Sequence, residues 1–146
     1  MPRIIDGDNL LGTWPGRRRS DADRRELARS IGRWAHRERR RVILVFDGPD
    51  PPVPPPVHDV HFSGPGKSAD DWIIDYLRRL PTAGGWVLVT NDRSLGDQCR
   101  HLGARVERCE QFRQRLATPQ GGEKPEGPVD VDAWLEIFGT PPDEST

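Results

Sequence analysis

Val42-Ile-Leu-Val-Phe46 is apolar at five successive positions and largely β-branched, a pattern that suits a strand covered on both faces, as in a parallel sheet between helical layers. Four further segments fit the same sheet. Arg3–Ile5 is a short apolar run ending at Asp6, Val57–Phe62 is a weaker strand suited to an edge, Trp86–Thr90 is a second buried strand, and Ala104–Arg108 is a last one. Helical patterns lie between them. Ser20 caps a helix with Asp21 and Asp23 in its first turn, Leu27, Ile31 and Trp34 forming its apolar stripe and Arg25, Arg29 and Arg33 its wet face. Ser68 caps a second helix, with Asp71 three residues on and Ile73, Leu77 and Leu80 buried. Leu95, Cys99 and Leu102 mark a third, stopped by Gly103, and residues 110–117 a fourth.

Two segments interrupt the alternation. Gly7–Gly16 contains Asn9, Gly12 and Pro15 and reads as a loop, and Pro49–Pro56 reads as a stiff polyproline connector. Strands alternating with helices require right-handed crossovers, which bring the strand C-termini to one rim of the sheet, where open α/β sheets bind their ligands. The expected fold is therefore α/β: a Rossmann-like central parallel sheet flanked by helices.

With 146 residues and 34% hydrophobic content, the chain accommodates one core of ordinary size. The reading assigns residues 1–117 to the domain and 118–146 to an acidic tail, in which a Pro/Gly linker precedes a short helix at about 129–138. Charge is unevenly spread: residues 1–50 carry 12 Lys/Arg against 8 Asp/Glu, and residues 119–146 carry 1 against 7. A basic body permits a polyanionic partner. No apolar run approaches the ~20 residues that span a bilayer, and there is no basic segment followed by an apolar signal core, so a soluble, cytoplasmic protein with no membrane partner is expected. Cys99 and Cys109 lack metal-ligand spacing and read as buried thiols without a function.

Asp6, Asp47 and Asp92 each fall just past a predicted strand, and Asp70 falls in the first turn of the helix after the third. Taken singly, each is equally a turn former or a helix cap. Together they occupy corresponding positions on one rim, where crowded carboxylates repel unless a cation neutralises them. Oxygen-only ligands favour Mg²⁺ or Mn²⁺ over zinc, and His36, His58, His61 and His101 show no zinc spacing. Hydrolysis of a phosphodiester is the chemistry such a centre serves best.

Four blocks in order, Ile4-Ile-Asp-Gly-Asp-Asn9, Val45-Phe-Asp-Gly48, Ser68-Ala-Asp-Asp-Trp-Ile73 and Val89-Thr-Asn-Asp92, resemble the NYN domain family, especially its YacP-like branch. The resemblance covers residues 1–117 and includes Arg25-Glu-Leu27. It implies a PIN-like fold and metal-dependent cleavage of RNA. By position, Asp6, Asp70 and Asp92 correspond to metal-binding aspartates, Asn9 to a polar residue that positions substrate or water, and Asp47 to a supporting aspartate. Asp71 and Asp97 are held in reserve. Position 8 departs from the family: it is an aspartate where relatives commonly carry an aromatic residue. The proline run is a second departure, lengthening the connection after the second strand.

The reading is thus a ribonuclease, expected to act as an endonuclease on single-stranded RNA, alone or within a ribosome or other RNA–protein assembly; it assigns no oligomeric state. Arg17, Arg18 and Arg19 beside Trp14 suit phosphate attraction and base stacking, and Lys67 and Arg93 adjoin proposed ligands. Two other readings stay open. One is a non-catalytic domain that binds RNA or protein. The other is an aspartate-based (HAD-like) phosphatase using the Asp6-Gly-Asp8 pair. Gly66-Lys-Ser68 is excluded as a P-loop because His61 stands where the earlier glycine is required. The acidic tail is expected either to screen the basic body at low salt or to complete the core through Trp134 and Phe138.

Overall fold

A computed structural model describes residues 1–55, 57 and 59–117. The readings that fall on Pro56, His58 and the tail 118–146 lie outside the described residues. The order is β1 (Arg3–Asp6), α1 (Gly7–Gly12), α2 (Asp21–Glu38), β2 (Val42–Phe46), β3 (Val60–Phe62), α3 (Ala69–Arg79), β4 (Val87–Val89), α4 (Arg93–His101), β5 (Arg105–Glu107) and α5 (Cys109–Ala117). The five strands pair in the order β3-β2-β1-β4-β5, every pair parallel. The strand alternation is as expected, and β3 is an edge strand, shortened because Asp59 takes a left-handed turn (φ 58°) just before it.

β2 is buried at all five positions. Alternate residues serve opposite layers. Ile4, Ile43, Val45 and Leu88 join Ile73, Leu77, Leu95 and Cys99 in the core under α3 and α4. On the other face Leu27, Ile31 and Trp34 of α2 are buried, and the Trp34 ring meets Phe112 edge-on at 5.3 Å. That face also holds a buried ion pair, Arg3 Nε to Glu107 Oε1 at 3.1 Å, its guanidinium 5.5 Å from the Trp34 ring centre.

The two expected caps are present, Ser20 Oγ accepting from the Asp23 amide and Ser68 Oγ from the Asp71 amide, and Asp92 Oδ1 caps α4 in the same way from the Leu95 amide, each at 3.1 Å. Two expectations fail. The segment after β1 is not a loop from Gly7, because α1 starts there and buries Leu10 and Leu11. Gly7 serves close packing instead of breaking the helix: a Cβ at this position would lie 2.5 Å from Phe46 Cε1. Arg25 is also not on a wet face; it is half-buried and donates to the Val53 carbonyl at 3.0 Å, so the proline-rich connector covers it. Among the described residues, no helix is long and apolar enough to cross a membrane.

Candidate active site

The sheet order turns at β1, whose neighbours are β2 on one side and β4 on the other. In such sheets the crevice at the turning point is where ligands bind. Asp6 ends β1 there, nearly buried at 5% exposure, and its Oδ2 accepts from the Thr90 hydroxyl at 3.1 Å. The same Thr90 oxygen accepts from the Asp92 amide at 3.1 Å, so one side chain joins the exits of β1 and β4.

Burial pushes the Asp6 carboxyl up to about 7; the negative charges of Asp70, Asp47 and Asp8 act in the same direction and the Thr90 hydroxyl against it. Asp70 is raised as well, by burial first and then by the charges of Asp92 and Asp47. Charge repulsion thus links Asp6 to Asp70 and Asp47, and Asp70 to Asp92 and Asp47. They are not on separate surfaces. Of the reserve candidates, Asp71 adds a small push on Asp70, whereas Asp97 pairs with Arg100 at 3.1 Å on the exposed side of α4.

Asp92 and Asp47 also have local anchors. Asp92 Oδ1 caps α4, and Asp47 Oδ1 accepts from the Ala69 amide at 2.7 Å, holding the first turn of α3, which carries Asp70. Asn9 Oδ1 accepts from the Asn91 amide at 2.7 Å and from the Cys109 thiol at 3.3 Å. Asn91 in turn accepts from the Cys109 amide and donates to Glu110. Asn9 thus ties α1 to the exits of β4 and β5. Both thiols are buried as expected and pushed up by burial, Cys99 to about 11 and Cys109 to about 12.

The departure at position 8 has a local resolution. Asp8 is 1% exposed and receives a two-pronged bond from Arg24, Nε to Oδ1 at 2.9 Å and Nη2 to Oδ2 at 2.7 Å. Its charge is spent on that partner. Arg24 was absent from the sequence reading although a signal existed: it lies three and seven residues before Leu27 and Ile31, on the apolar stripe of α2. Thr90 was also missed. It lay within the Val89-Thr-Asn-Asp92 block, where only the aspartate was given a role.

The expected substrate contacts divide. Arg17 sits 4.9 Å over the Trp14 ring, Arg18 and Arg19 are exposed, and Arg93 is exposed beside Asp92. Lys67 is ion-paired with Asp75 at 2.8 Å. A cavity of about 690 Å³ lies elsewhere, between α2 and the β2–β3 edge, with Arg29, Arg33, Arg40 and Arg41 around Ile31, Val42 and Leu44; none of the four aspartates lines it.

Donor chemistry at the rim suits a hard divalent cation: the oxygens are carboxylates, and Asp6 and Asp47 each commit one oxygen to a hydrogen bond described above and keep a second, while Asp92 caps α4 and shares a hydrogen bond with Asp70. The spacing is looser than a closed site. Among the described residues, no three His, Cys, Asp or Glu side chains stand close enough to share an ion. A cation that keeps most of its water and takes one or two carboxylates is the kind such spacing fits.

A family model for the YacP-like NYN domain matches residues 3–126. No curated protein matches significantly. Two solved structures of Rae1 (YacP) from Bacillus subtilis are similar. A mutant form has a TM-score of 0.66 at 21% identity, covering 79% of this chain and 74% of that chain. The other has a TM-score of 0.61 at 18% identity, covering 80% and 73%. At these identities the likeness is one of fold.

Proposed function

We propose that this chain, which belongs to the YacP-like NYN domain family, is a divalent-metal-dependent endoribonuclease acting on single-stranded RNA through Asp6, Asp70 and Asp92. Membership makes it a PIN-like nuclease domain of a ribonuclease family whose members are generally divalent-metal dependent. The observation that carries the finer reading is the burial of Asp6 at the sheet's turning point, where the charges that act on it most strongly are other aspartates. A buried carboxylate among like charges either holds a proton or meets a cation.

Of Asp6, Asp70 and Asp92, one or two would hold Mg²⁺ or Mn²⁺ directly and the rest through its waters, with Asp47 in support. When bound, the cation supplies charge neutralisation and Lewis acidity toward a phosphate oxygen. Thr90 ties the Asp6 carboxylate to the start of α4, which carries Asp92. Asn9, with its carbonyl oxygen already committed, has its amide NH₂ to offer a substrate oxygen. Arg93, Arg18 and Arg19 are exposed cations suited to hold the RNA backbone.

The phosphatase reading loses support because both Asp8 oxygens are engaged by Arg24, which leaves no available acid two residues beyond Asp6. The non-catalytic reading draws on the loose carboxylate spacing. One experiment separates them. Purified protein is incubated with a circular single-stranded RNA and Mn²⁺ or Mg²⁺, beside Asp6→Asn and Asp92→Asn. Linearisation by the wild type alone is expected. A circle that stays intact, or linearisation that survives both substitutions, refutes the proposal.

A further inference from the structure

Asp47 is held at every polar atom for which a bond is described. Its amide donates to Asp8 Oδ2 at 2.9 Å, its carbonyl accepts from Arg24 Nη2 at 3.2 Å, and its Oδ1 accepts from the Ala69 amide at 2.7 Å. Arg24 cannot swing away easily, because its guanidinium lies 5.2 Å over the Phe46 ring. A chain of part-buried bonds of 2.7–3.2 Å therefore runs from α2 through the exits of β1 and β2 to the first turn of α3. Asp70 is the next residue after Ala69. We propose that Arg24 and Asp8 are a positioning pair: they set the Asp47 backbone, and through the Ala69 amide they hold Asp70 within reach of Asp6.

The inference rests on the nuclease reading and extends it to two residues that touch no reacting atom. The chemistry favours such a role. A guanidinium fork gripping both carboxylate oxygens leaves little freedom at either partner, and a displacement of about 1 Å at a site that depends on placement costs up to ~100-fold in rate. A pair serving only to fill the core would have no reason to engage both the amide and the carbonyl of one rim residue.

Arg24→Lys keeps the charge and loses the fork, and Asp8→Asn keeps the shape and loses the charge; two conservative variants guard against failure to fold. Amide hydrogen exchange by NMR is read at Ala69, with Leu88 in β4 and Arg105 in β5, whose amide donates to the Trp86 carbonyl, as references, alongside the Mn²⁺ concentration for half-maximal RNA cleavage. The expected result is Ala69 exchange accelerated about tenfold more than the reference amides, which report any loss of global stability. Half-maximal Mn²⁺ should rise several-fold, and kcat should fall about tenfold or more with KM for RNA within about twofold. Unchanged Ala69 exchange, or acceleration equal at Ala69 and the references, overturns the proposal and leaves the pair a contributor to global stability only. Wild-type protein that cuts no RNA defeats the nuclease reading, while the Ala69 amide still decides whether the pair positions α3.

Discussion

Asp6 and Asp8 stand two residues apart, both nearly sealed from solvent, in opposite electrostatic surroundings. The region around Asp8 is a closed account: Arg24 and the Asp47 amide satisfy its oxygens. The region around Asp6 is open, with one neutral hydroxyl as donor and aspartates as its nearest charges. Burial is therefore common to a structural acid and a functional candidate; the missing counter-charge distinguishes them. The Arg3–Glu107 pair, buried among rings on the same sheet, follows the Asp8 pattern.

Neutralising each acid tests the contrast most strongly. Asp6→Asn should lower RNA cleavage by on the order of 10³-fold or more, yet raise the melting temperature of metal-free protein at pH 8, because it removes a buried, repelled charge. A variant that cleaves normally, or one that melts lower, breaks the comparison. Asp8→Ala should do the reverse to stability and cost about 3–5 kcal/mol in urea unfolding, since it strands the Arg24 charge. A loss below ~1 kcal/mol would mean that Arg24 finds water or another partner.

The third test is pH. The Asp6 carboxyl is raised from 3.8 to about 7, so the folded protein binds a proton that the unfolded chain has already released. Its contribution to stability is fully present below about 3.8 and is lost as pH rises toward 7; Asp70, raised in the same direction, adds to the slope. Metal-free protein should thus lose up to ~4 kcal/mol across that window, from about three pKa units at ~1.4 kcal/mol each. Saturating Mn²⁺ should flatten the slope, and Asp6→Asn should remove most of it. Stability that increases with pH through the window would contradict the origin assigned to the shift. The smallest effect is expected from Thr90→Val, about 1–2 kcal/mol, because it leaves Asp6 and the Asp92 amide each short of a partner. Since the Thr90 hydroxyl holds the Asp6 carboxyl down, the variant's activity should need a higher pH, and Thr90→Ser should restore the wild-type profile.

Much of this was legible in the residues. Val42–Phe46 declared a doubly covered strand, Ser20 and Ser68 declared helix starts, and the recurrence of aspartate after strands pointed to one rim. These are local signals: burial pattern, cap chemistry and chain order act over a few residues. The misreadings had non-local causes. The glycine at position 7 looked like punctuation because its partner, the Phe46 ring, lies 39 residues away. Arg25 looked solvated because the connector that covers it is distant in the chain. Lys67 looked available for phosphate, but Asp75 takes it about two helix turns beyond the cap.

By itself the order of residues determined the strands, the starts of α2 and α3 and the placing of four aspartates toward one end of a parallel sheet, since each depends on nearest neighbours and on the handedness of crossovers. Only the folded chain decided which acid would be paired and which left exposed to like charge. Thr90 meets Asp6 across 84 positions and Arg24 meets Asp8 across 16. Desolvation and Coulomb attraction depend on distance through space, and sequence separation does not report that distance.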